Sequence, residues 1–478
     1  MTAGQAHQLH VAIVGGGIIG LITALGLMKR NISVRMYEQA SAFREIGAGV
    51  AFTANAMECM RILDPAIVDA VDAVATPNGE NTEEPNDYVR FHDGYHWDPR
   101  DPANSDDKLL ALLHTGHKGF QGCNRAQLLD ELVKHIPDHA IEFKKRFAGY
   151  EDRGSGEKVL LRFEDGSTAE ADLIIGCDGN KSKVRQFIVG AHNPASFVHF
   201  SHKVAYRALV PMERAEPVLG SFRAHNQHMH VGPSAHILHF PVTNHTLLNV
   251  VAFVTEPNDW PLSDANGARN MTAAATREEL EVAFEEWGPT VRNLVNLLPE
   301  KMQKWAIFDA YDYPVPTYVS GRVCIAGDAA HASSPHHGAG AGIGVEDALA
   351  LCTLLDMVVT TLAQPGNPAG FQQGRAATDL IVAALQVYDS VRRPRSQWLV
   401  ESSREVCEIY EGNYPETKTD WDKCLAEITK RSHKLWYFDI EGMLKELRDG
   451  YETKTTLITD TQDGMKRSEQ GQPITACN

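Results

Sequence analysis

The chain has 478 residues, of which 43% are hydrophobic, and a formal net charge of −17. This length allows two or three hydrophobic cores and excludes a single small domain. The negative charge disfavours nucleic acid and anionic membrane surfaces as partners, but an anionic small molecule can still bind in a locally positive pocket.

The sequence carries no evident targeting segment. Residues 1–10 lack a basic region, the first apolar run covers only residues 11–14, and no stretch approaches 18 uncharged apolar residues. We therefore expect neither a signal peptide nor a membrane span. The eight cysteines are scattered without metal-ligand spacing, which predicts reduced thiols, no metal site and a cytoplasmic location.

The first predicted unit is a strand, a helix and a second strand. Residues 10–15 form an apolar run, residues 18–30 have helical composition with a basic last turn, and residues 33–37 predict another strand. The turn before the helix has the sequence GGGIIG, a GxGxxG pattern. This arrangement is typical of a dinucleotide-binding βαβ unit of about 30 residues.

Four residues of this unit are candidate cofactor ligands. In such a unit Gly15 makes the tight turn, Gly17 admits a pyrophosphate to the backbone, and Gly20 lets the helix pack on the strand. Glu38 ends the second strand, and its carboxylate would accept hydrogen bonds from a ribose. The pattern leaves NAD and FAD as alternatives.

Two later segments also suggest contacts with a nucleotide. Residues 43–53 form a second glycine-containing loop directly after the ribose acid. Arg125 opens a predicted helix over residues 126–134, where a cation is normally disfavoured. A phosphate or diphosphate partner would explain Arg125, and a surface arginine is the alternative.

From about residue 186 the pattern changes to antiparallel strands. Residues 201–210, 228–231, 236–242 and 247–254 alternate or run apolar between turn residues, which predicts an inserted sheet that carries the substrate. Arg207 lies in the middle of the first of these strands. A buried arginine needs an anion, which is either a ligand or a structural Asp or Glu.

The stretch over residues 321–349 is the most informative. Residues 323–326 predict a buried strand that ends at Asp328, and open α/β sheets bind ligands at the carboxyl ends of their strands. A turn rich in glycine and proline follows, with a helix from about Val345. Alternate glycines let the backbone approach a flat ligand, and the alternative is a flexible surface loop.

Three separated motifs resemble one family. The GxGxxG turn, Asp178-Gly179 with Arg185, and Gly327-Asp328 with Pro335 occur in the order found in single-component FAD-dependent aromatic hydroxylases, the class of p-hydroxybenzoate and salicylate hydroxylases. The segments FREIGAG and SPHHGAGAGIGVEDA resemble the salicylate-hydroxylase-like branch. SHKVAYR and HMHVGP resemble the fungal polyketide hydroxylases that dearomatise phenolic aldehydes.

The resemblance implies an α/β fold like that of p-hydroxybenzoate hydroxylase. A Rossmann-type FAD-binding domain would carry an inserted antiparallel β-sheet substrate domain and C-terminal helices. The expected parts are an FAD-binding domain at 1–185 and 313–395, a substrate domain at 186–312, C-terminal helices at 396–451, and a disordered tail at 452–478.

The resemblance also implies site residues. Non-covalent FAD would contact the glycines of the first turn and Glu38, and the further cofactor-binding positions would be Ala51, Arg125 (diphosphate), Asp328 (ribityl chain), Gly340 and Ala341 (flavin ring). Arg207 resembles the catalytic arginine that holds the substrate phenolate. The expected substrate-binding residues are Pro335, His336 and Phe240, which replaces a tyrosine found in some relatives.

The implied activity is NAD(P)H- and O2-dependent hydroxylation of a phenolic polyketide, such as an orcinol- or resorcinol-type aldehyde or an azaphilone precursor. A flavin hydroperoxide would attack the Arg207-bound phenolate and dearomatise the ring, with NADPH or NADH as a transient co-substrate. The alternatives are a salicylate-like hydroxylase that retains the aromatic ring and an FAD dehydrogenase or reductase without oxygen insertion. We expect a monomer or homodimer.

Overall fold

The computed structural model describes residues 9–43, 49–78, 87–101, 105–114, 121–261, 270–364 and 371–469. The strands are β1 (His10–Val14), β2 (Ser33–Tyr37), β3 (Gly49–Ala51), β4 (Ala75–Pro77), β5 (Asp87–Asp93), β6 (Lys108–His114), β7 (Gln121–Asn124), β8 (Ile141–Glu142), β9 (Phe147–Glu151), β10 (Val159–Phe163), β11 (Thr168–Ala171), β12 (Leu173–Gly176), β13 (His199–Pro211), β14 (His228–Gly232), β15 (Ala235–Val242), β16 (Leu247–Thr255), β17 (Thr272–Thr276), β18 (Lys301–Asp309), β19 (Val319–Ser320) and β20 (Val323–Ile325).

The α-helices are α1 (Ile18–Lys29), α2 (Ala54–Leu63), α3 (Pro65–Asp72), α4 (Arg125–Val133), α5 (Lys183–Val189), α6 (Met212–Leu219), α7 (Ser221–Ala224), α8 (Arg277–Ala283), α9 (Pro289–Asn296), α10 (Asp328–His331), α11 (Gly340–Leu362), α12 (Phe371–Tyr410), α13 (Trp421–Trp436) and α14 (Ile440–Glu469). Short 3-10 helices cover Asp138–Ala140, Pro194–Ser196 and Pro335–His337.

The first sheet has the strand order β19-β20-β12-β1-β2-β8. Apart from the antiparallel β19, its strands run parallel. Strands such as β12 are apolar and wholly buried, as expected when helices cover both faces of a parallel sheet. The carboxyl ends of β1, β2 and β20 therefore meet at one edge, where an open sheet binds its ligand.

The second large sheet has the order β17-β18-β13-β16-β15-β14-β5-β6 and is mostly antiparallel. One of its faces forms a core with helices α6, α8 and α9. The predicted Rossmann-type α/β fold with an inserted antiparallel sheet is confirmed.

Strands β5 and β6 lie elsewhere than we predicted. They fall within the segment assigned to the FAD-binding domain, yet β5 pairs in parallel with β14 and so extends the second sheet. The pairing joins residues that are more than a hundred positions apart, such as Arg90 and His228. Local periodicity identifies a strand but carries no information on a partner this distant.

The C-terminal helices also differ from the expectation. Helix α12 is continuous through Pro394, so it crosses the predicted boundary between residues 395 and 396. Helix α14 continues to Glu469, into the segment where composition predicted disorder. Met443, Leu447 and Tyr451 on α14 are buried at helical spacing in the main core. Residues 470–478 lie outside the described residues.

No helix among the described residues is long and apolar enough to cross a membrane. The seven cysteines in the described ranges are all buried free thiols. Burial raises the pKa of Cys123 to about 12, so this thiol is protonated at neutral pH.

Four buried histidines lie together on the helix-covered face of the second sheet. His92 Nε2 is 2.9 Å from His228 Nδ1, and the His239 ring stacks on the rings of His228 and His230 at centroid distances of 5.4 Å and 5.3 Å. Asp107 accepts a hydrogen bond from His230 Nδ1 at 2.6 Å. Neither ring nitrogen of His239 has a hydrogen-bond partner among the described residues.

Because these four histidines are buried, we expect the protein to lose stability in mild acid. Desolvation lowers the pKa of His92 to about 4 and that of His228 and His239 well below the usual value. An unfolded chain binds these protons from about pH 6.5 downwards. The free energy of unfolding should therefore fall as pH drops from about 6.5 to 4, by roughly 2 kcal/mol at pH 5 for His92 alone.

Urea midpoints measured between pH 7.5 and 4.5 test this expectation. His239→Phe removes one of the buried titrating rings and should flatten the pH dependence. His96→Gln, at an exposed histidine, should leave it unchanged. Equal urea midpoints at pH 7.5 and 5 would contradict the expectation.

Candidate active site

The glycine turn lies between β1 and the N-terminus of α1. Gly15 has φ +106°, and a Cβ on it would lie 2.4 Å from the carbonyl oxygen of Cys177. A Cβ on Gly20 would lie 2.2 Å from the Gly15 oxygen, so only glycine allows this helix to approach the turn. Nothing lies within 4 Å of the Cβ position of Gly17, which leaves the helix N-terminus open to a ligand.

Glu38 lies at the same edge of the sheet, directly after β2. Its carboxylate accepts hydrogen bonds from the backbone N–H of Gly16 and of Ala40, both at 2.7 Å. These bonds fix the carboxylate beside the glycine turn. Each carboxylate oxygen keeps a free lone pair, so Glu38 can still accept from a ribose hydroxyl.

A second helix N-terminus lies across the site. We predicted a glycine turn followed by a helix from about Val345, but α11 already begins at Gly340. The glycines serve helix packing, because a Cβ on Gly344 would lie 2.7 Å from Ile19 of α1. Gly340 and Ala341 thus form the first turn, where backbone N–H groups lack partners within the helix.

Neither of these two helices has a side-chain cap. The N-cap residues are Gly17 for α1 and Ala339 for α11, and neither makes a side-chain hydrogen bond to the helix. Uncapped N-termini leave N–H donors and the positive end of the helix dipole available to an anion. They suit a diphosphate at α1 and the negative edge of a reduced flavin ring at α11.

Asp328 follows β20, at the carboxyl edge of the sheet. Its side chain is exposed, whereas its neighbours Ala329 and Ala330 are fully buried. The backbone here is held by Arg185, whose guanidinium donates to the carbonyl oxygens of Asp328 at 3.3 Å and Ala329 at 3.0 Å. Arg185 is therefore a structural support for the position of Asp328.

Sequence reasoning missed a buried ionic cluster behind α11. Asp347 accepts from His331 Nε2 at 2.5 Å, from Arg392 Nε at 2.9 Å and from the backbone N–H of Gly327 at 3.1 Å. Arg392 also pairs with Glu346 at 2.9 Å, and all four of these side chains have no exposed surface. The cluster ties the start of α11 to α12 and to the turn that carries Asp328. Charged residues in otherwise apolar helical runs were the available signal.

Arg207 lies on the face of the second sheet opposite the histidine cluster. Its partner in register is Val251, and its guanidinium lies 5.8 Å from the ring centroid of Trp305. Its Nε is buried without a hydrogen-bond partner among the described residues. Desolvation, with the nearby charge of Arg125, lowers the pKa of Arg207 to about 10. The structural carboxylate that we left open as a partner is not found in the described part of the chain.

Arg125 is the first residue of α4, as predicted, and Asn124 caps this helix with its side chain. Arg125 lies close enough to Arg207 for its charge to lower the pKa of Arg207. Two neighbouring cations make this part of the site positive, which suits an anionic ligand.

Phe240 lies on the same sheet face as Arg207, one row further along. In register, Phe240 pairs with Asn249, which pairs with Leu209. The Phe240 ring packs closely against β3 and β7. A Cβ on Gly49 of β3 would lie 2.6 Å from the ring, and a Cβ on Gly122 of β7 would lie 2.8 Å from it.

The same apolar group includes Ala51 on β3, which brings this predicted cofactor residue next to the substrate sheet. Residues 44–48 of the second glycine-containing loop lie outside the described residues.

Two of the three histidines near the glycine-rich helix have a ring nitrogen without a hydrogen-bond partner among the described residues, His331 Nδ1 and His336 Nε2. His331 bonds Asp347, and His337 Nε2 lies 2.8 Å from Ser402 Oγ. His336 is buried in the 3-10 helix Pro335–His337, and its Nε2 has no hydrogen-bond partner among the described residues.

One group of side chains in the described ranges has metal-like geometry. His236, His336 and Cys407 each place a ligand atom within 4.8 Å of the others. The ammonium of Lys203 forms an ion pair with Glu411, which contacts His236 and Cys407. A metal-free site stays our prediction for this group.

The arrangement as a whole fits a dinucleotide with a flat, redox-active ring. The carboxyl edge of the first sheet carries the open N-termini of α1 and α11, the space above Gly17 and the exposed carboxylate of Asp328. The guanidinium of Arg207 lies on the second sheet, and its Nε is buried without a hydrogen-bond partner among the described residues. The helix N-termini supply N–H donors for phosphate and ring oxygens, and Asp328 supplies an acceptor for hydroxyls. Arg207 supplies a cation for an anionic substrate.

Comparison with known proteins agrees with this geometry. The FAD binding domain family model matches residues 8–378. The chain is 49% identical to FAD-dependent monooxygenase eupB of Phoma sp, over 93% of this chain and 98% of eupB. It is 49% identical to salicylate hydroxylase asL1 of Sarocladium schorii, over 95% and 93%. A solved salicylate hydroxylase substrate complex is 31% identical, with TM-score 0.75, over 92% of this chain and 98% of that one.

Proposed function

The chain belongs to the FAD-binding-domain family and is an FAD-dependent monooxygenase similar to salicylate hydroxylase, and we propose that it hydroxylates a phenolic polyketide with oxidative dearomatisation. The proposed substrates are orcinol- or resorcinol-type aldehydes or azaphilone precursors. FAD binds non-covalently, and NADPH or NADH acts as a transient co-substrate with O2.

The observation that carries the proposal is the half-buried guanidinium of Arg207, whose buried Nε has no hydrogen-bond partner among the described residues. A partly desolvated cation of this kind favours a negative ligand, and a phenolate meets this need with a charge-assisted hydrogen bond. An adjacent cation also lowers the pKa of a bound phenol. The ionised ring is richer in electrons and more open to attack by an electrophilic oxygen.

We assign the FAD contacts from the positions of the residues at the helix N-termini and strand ends. Bound FAD, once reduced by NAD(P)H, supplies an activated oxygen atom from O2. The first turn of α11 stabilises negative charge on the flavin ring through its N–H groups and dipole. We assign the diphosphate to Arg125 and the N-terminus of α1, the ribose to Glu38, and the ribityl chain to Asp328.

Dearomatisation depends on which ring carbon receives the oxygen. Hydroxylation at a substituted ortho carbon leaves no proton to lose, so the product is a dienone. Phe240 packs in one apolar group with Leu238 and Leu247. This apolar surface supports a substrate that carries an apolar substituent on its ring. The similarity to asL1 favours a second candidate, hydroxylation of a salicylate-like acid with the aromatic ring retained.

Labelled oxygen and product structures separate these candidates. We expect purified holoenzyme with NAD(P)H and 18O2 to place one labelled atom in the product of a resorcinol-type aldehyde. The product should be a dienone, with substrate-stimulated NAD(P)H oxidation. A catechol formed from salicylate would support the second candidate. Products without label from both the resorcinol-type aldehyde and salicylate would overturn both candidates.

The remaining proposals concern cell location and assembly. The buried free thiols agree with a reducing compartment, and we propose a cytoplasmic enzyme. We propose a monomer or a homodimer, which sedimentation velocity of the purified holoenzyme would distinguish.

A further inference from the structure

A chain of buried polar side chains ends at His336. The Lys203 ammonium pairs with Glu411 and also donates to Thr255 Oγ1 at 2.6 Å. Glu411 Oε1 lies 3.2 Å from His236 Nδ1, and His236 Nε2 lies 3.2 Å from His336 Nδ1. His336 Nε2 is buried and has no hydrogen-bond partner in the described part of the chain.

The hydrogen-bond directions along this chain are fixed by Glu411. A carboxylate only accepts, so His236 Nδ1 must carry the proton that it donates. Neutral His236 then has a lone pair at Nε2, which accepts from His336 Nδ1–H. Neutral His336 in turn has a lone pair at Nε2, so the nitrogen left without a partner is a hydrogen-bond acceptor.

Both imidazoles are neutral. Lys203 and Glu411 already balance each other, and a protonated histidine would add an uncompensated buried charge. Desolvation lowers the pKa of His236, and that of His336 falls well below its usual value because of desolvation and the proximity of His236 and Lys203. The hydrogen bond to the Glu411 carboxylate therefore sets the tautomers of His236 and His336.

His336 lies over the same sheet face as Arg207. Its ring contacts the rings of His236 and Phe253 at centroid distances of 5.1 Å and 4.9 Å. Phe253 is two residues from Val251, the partner of Arg207 in register, and alternate strand residues share a face. The His336 ring and the Arg207 guanidinium therefore lie on the same side of the second sheet, next to positions two residues apart on β16.

We propose that His336 is a specificity-determining residue whose Nε2 accepts a hydrogen bond from a neutral hydroxyl of the substrate, while Arg207 holds a second, ionised oxygen. The inference rests on the proposed function and narrows it to dihydroxylated rings of the resorcinol type. Lys203, Glu411 and His236 are positioning residues that hold the His336 tautomer. A substrate without the second hydroxyl leaves a buried acceptor unpaired, which costs about 1–3 kcal/mol.

Ligand binding to the oxidised holoenzyme tests the proposal without turnover. The probe is β-resorcylaldehyde, compared with salicylaldehyde and para-hydroxybenzaldehyde, which each lack one hydroxyl. We expect the wild-type protein to bind β-resorcylaldehyde about 10- to 100-fold more tightly than either monophenol, measured from the change in flavin absorbance. In His336→Phe the difference should fall below about 3-fold, and His336→Gln, whose amide oxygen accepts, should restore part of it.

His337→Phe is the matched control, since this neighbouring buried histidine bonds Ser402, and it should keep the wild-type preference. Flavin content of each variant confirms folding. Preserved discrimination in His336→Phe would overturn the proposal, as would failure of β-resorcylaldehyde to bind. Selective binding without labelled oxygen in the product would leave this inference standing and refute the proposed reaction instead.

Two further measurements test the proposal, one of the His336 tautomer and one of bound metal. Nitrogen-15 spectra of histidine-labelled holoenzyme, assigned with His336→Phe, should show a protonated Nδ1 and an unprotonated Nε2 at His336. A protonated Nε2 would overturn the proposal. Stoichiometric metal in the purified protein that is lost in both His236→Phe and Cys407→Ala would also overturn it, because a metal on His336 Nδ1 replaces the bond to His236.

Discussion

Replacing Arg207 with alanine is expected to lower kcat/KM by about 10²- to 10³-fold while FAD remains bound. The variant removes the cation that keeps the phenol ionised, and loss of one such electrostatic contact typically costs catalysis this much. Arg207 lies on the second sheet and is not among the residues that we assign to FAD, so the flavin should stay bound. Steady-state kinetics and the flavin absorbance of the same preparation measure both effects.

Two further variants show whether charge or size matters at this position. Arg207→Gln keeps hydrogen-bonding capacity without charge, so it should stay near the alanine value and shift the pH dependence of turnover upward as the free phenol ionises. Arg277→Ala removes an arginine from the same domain whose partner is the surface Glu281, and it should behave like the wild type. Unchanged turnover in Arg207→Ala would place the phenolate anchor elsewhere.

Replacing Arg392 with leucine should destabilise the protein by about 3–5 kcal/mol, because Glu346 and Asp347 would lose a buried cation. The side chains of all three residues are fully buried. Since Asp347 also binds the backbone of Gly327, the turn before Asp328 should loosen and FAD should dissociate more readily. Urea denaturation and the temperature at which flavin fluorescence appears report the two effects.

Arg393 provides a matched control in the same helix. Its guanidinium pairs with Asp389 one turn away and is partly exposed, so Arg393→Ala should cost less than about 1 kcal/mol. Equal stability of the Arg392→Leu and Arg393→Ala variants would show that the buried cluster is not needed to hold α11. Normal stability with weakened FAD retention in Arg392→Leu would assign the cluster to cofactor binding alone.

The site residues were predictable where a local pattern has one physical cause. The spacing of Gly15, Gly17 and Gly20 requires a tight turn against a helix, and the structure shows that close approach. Arg207 was identified as a charge within an apolar strand, which is a costly arrangement wherever it occurs. That no carboxylate pairs with Arg207 within the described ranges came from the structure, since such a partner could have lain anywhere in the sequence.

The sequence by itself determined the order of elements, the family and the chemical type of the ligands, because turns, strands and charged positions depend on neighbouring residues. The tertiary structure decided what depends on distant residues: β5 and β6 joined the second sheet, and α11 began at Gly340, with Gly344 packed against Ile19. It also brought His331, His336 and His337 to side-chain partners in three different elements. Their partners, Asp347, Ser402 and His236, come from other elements, and only folding brings these groups into hydrogen-bonding distance.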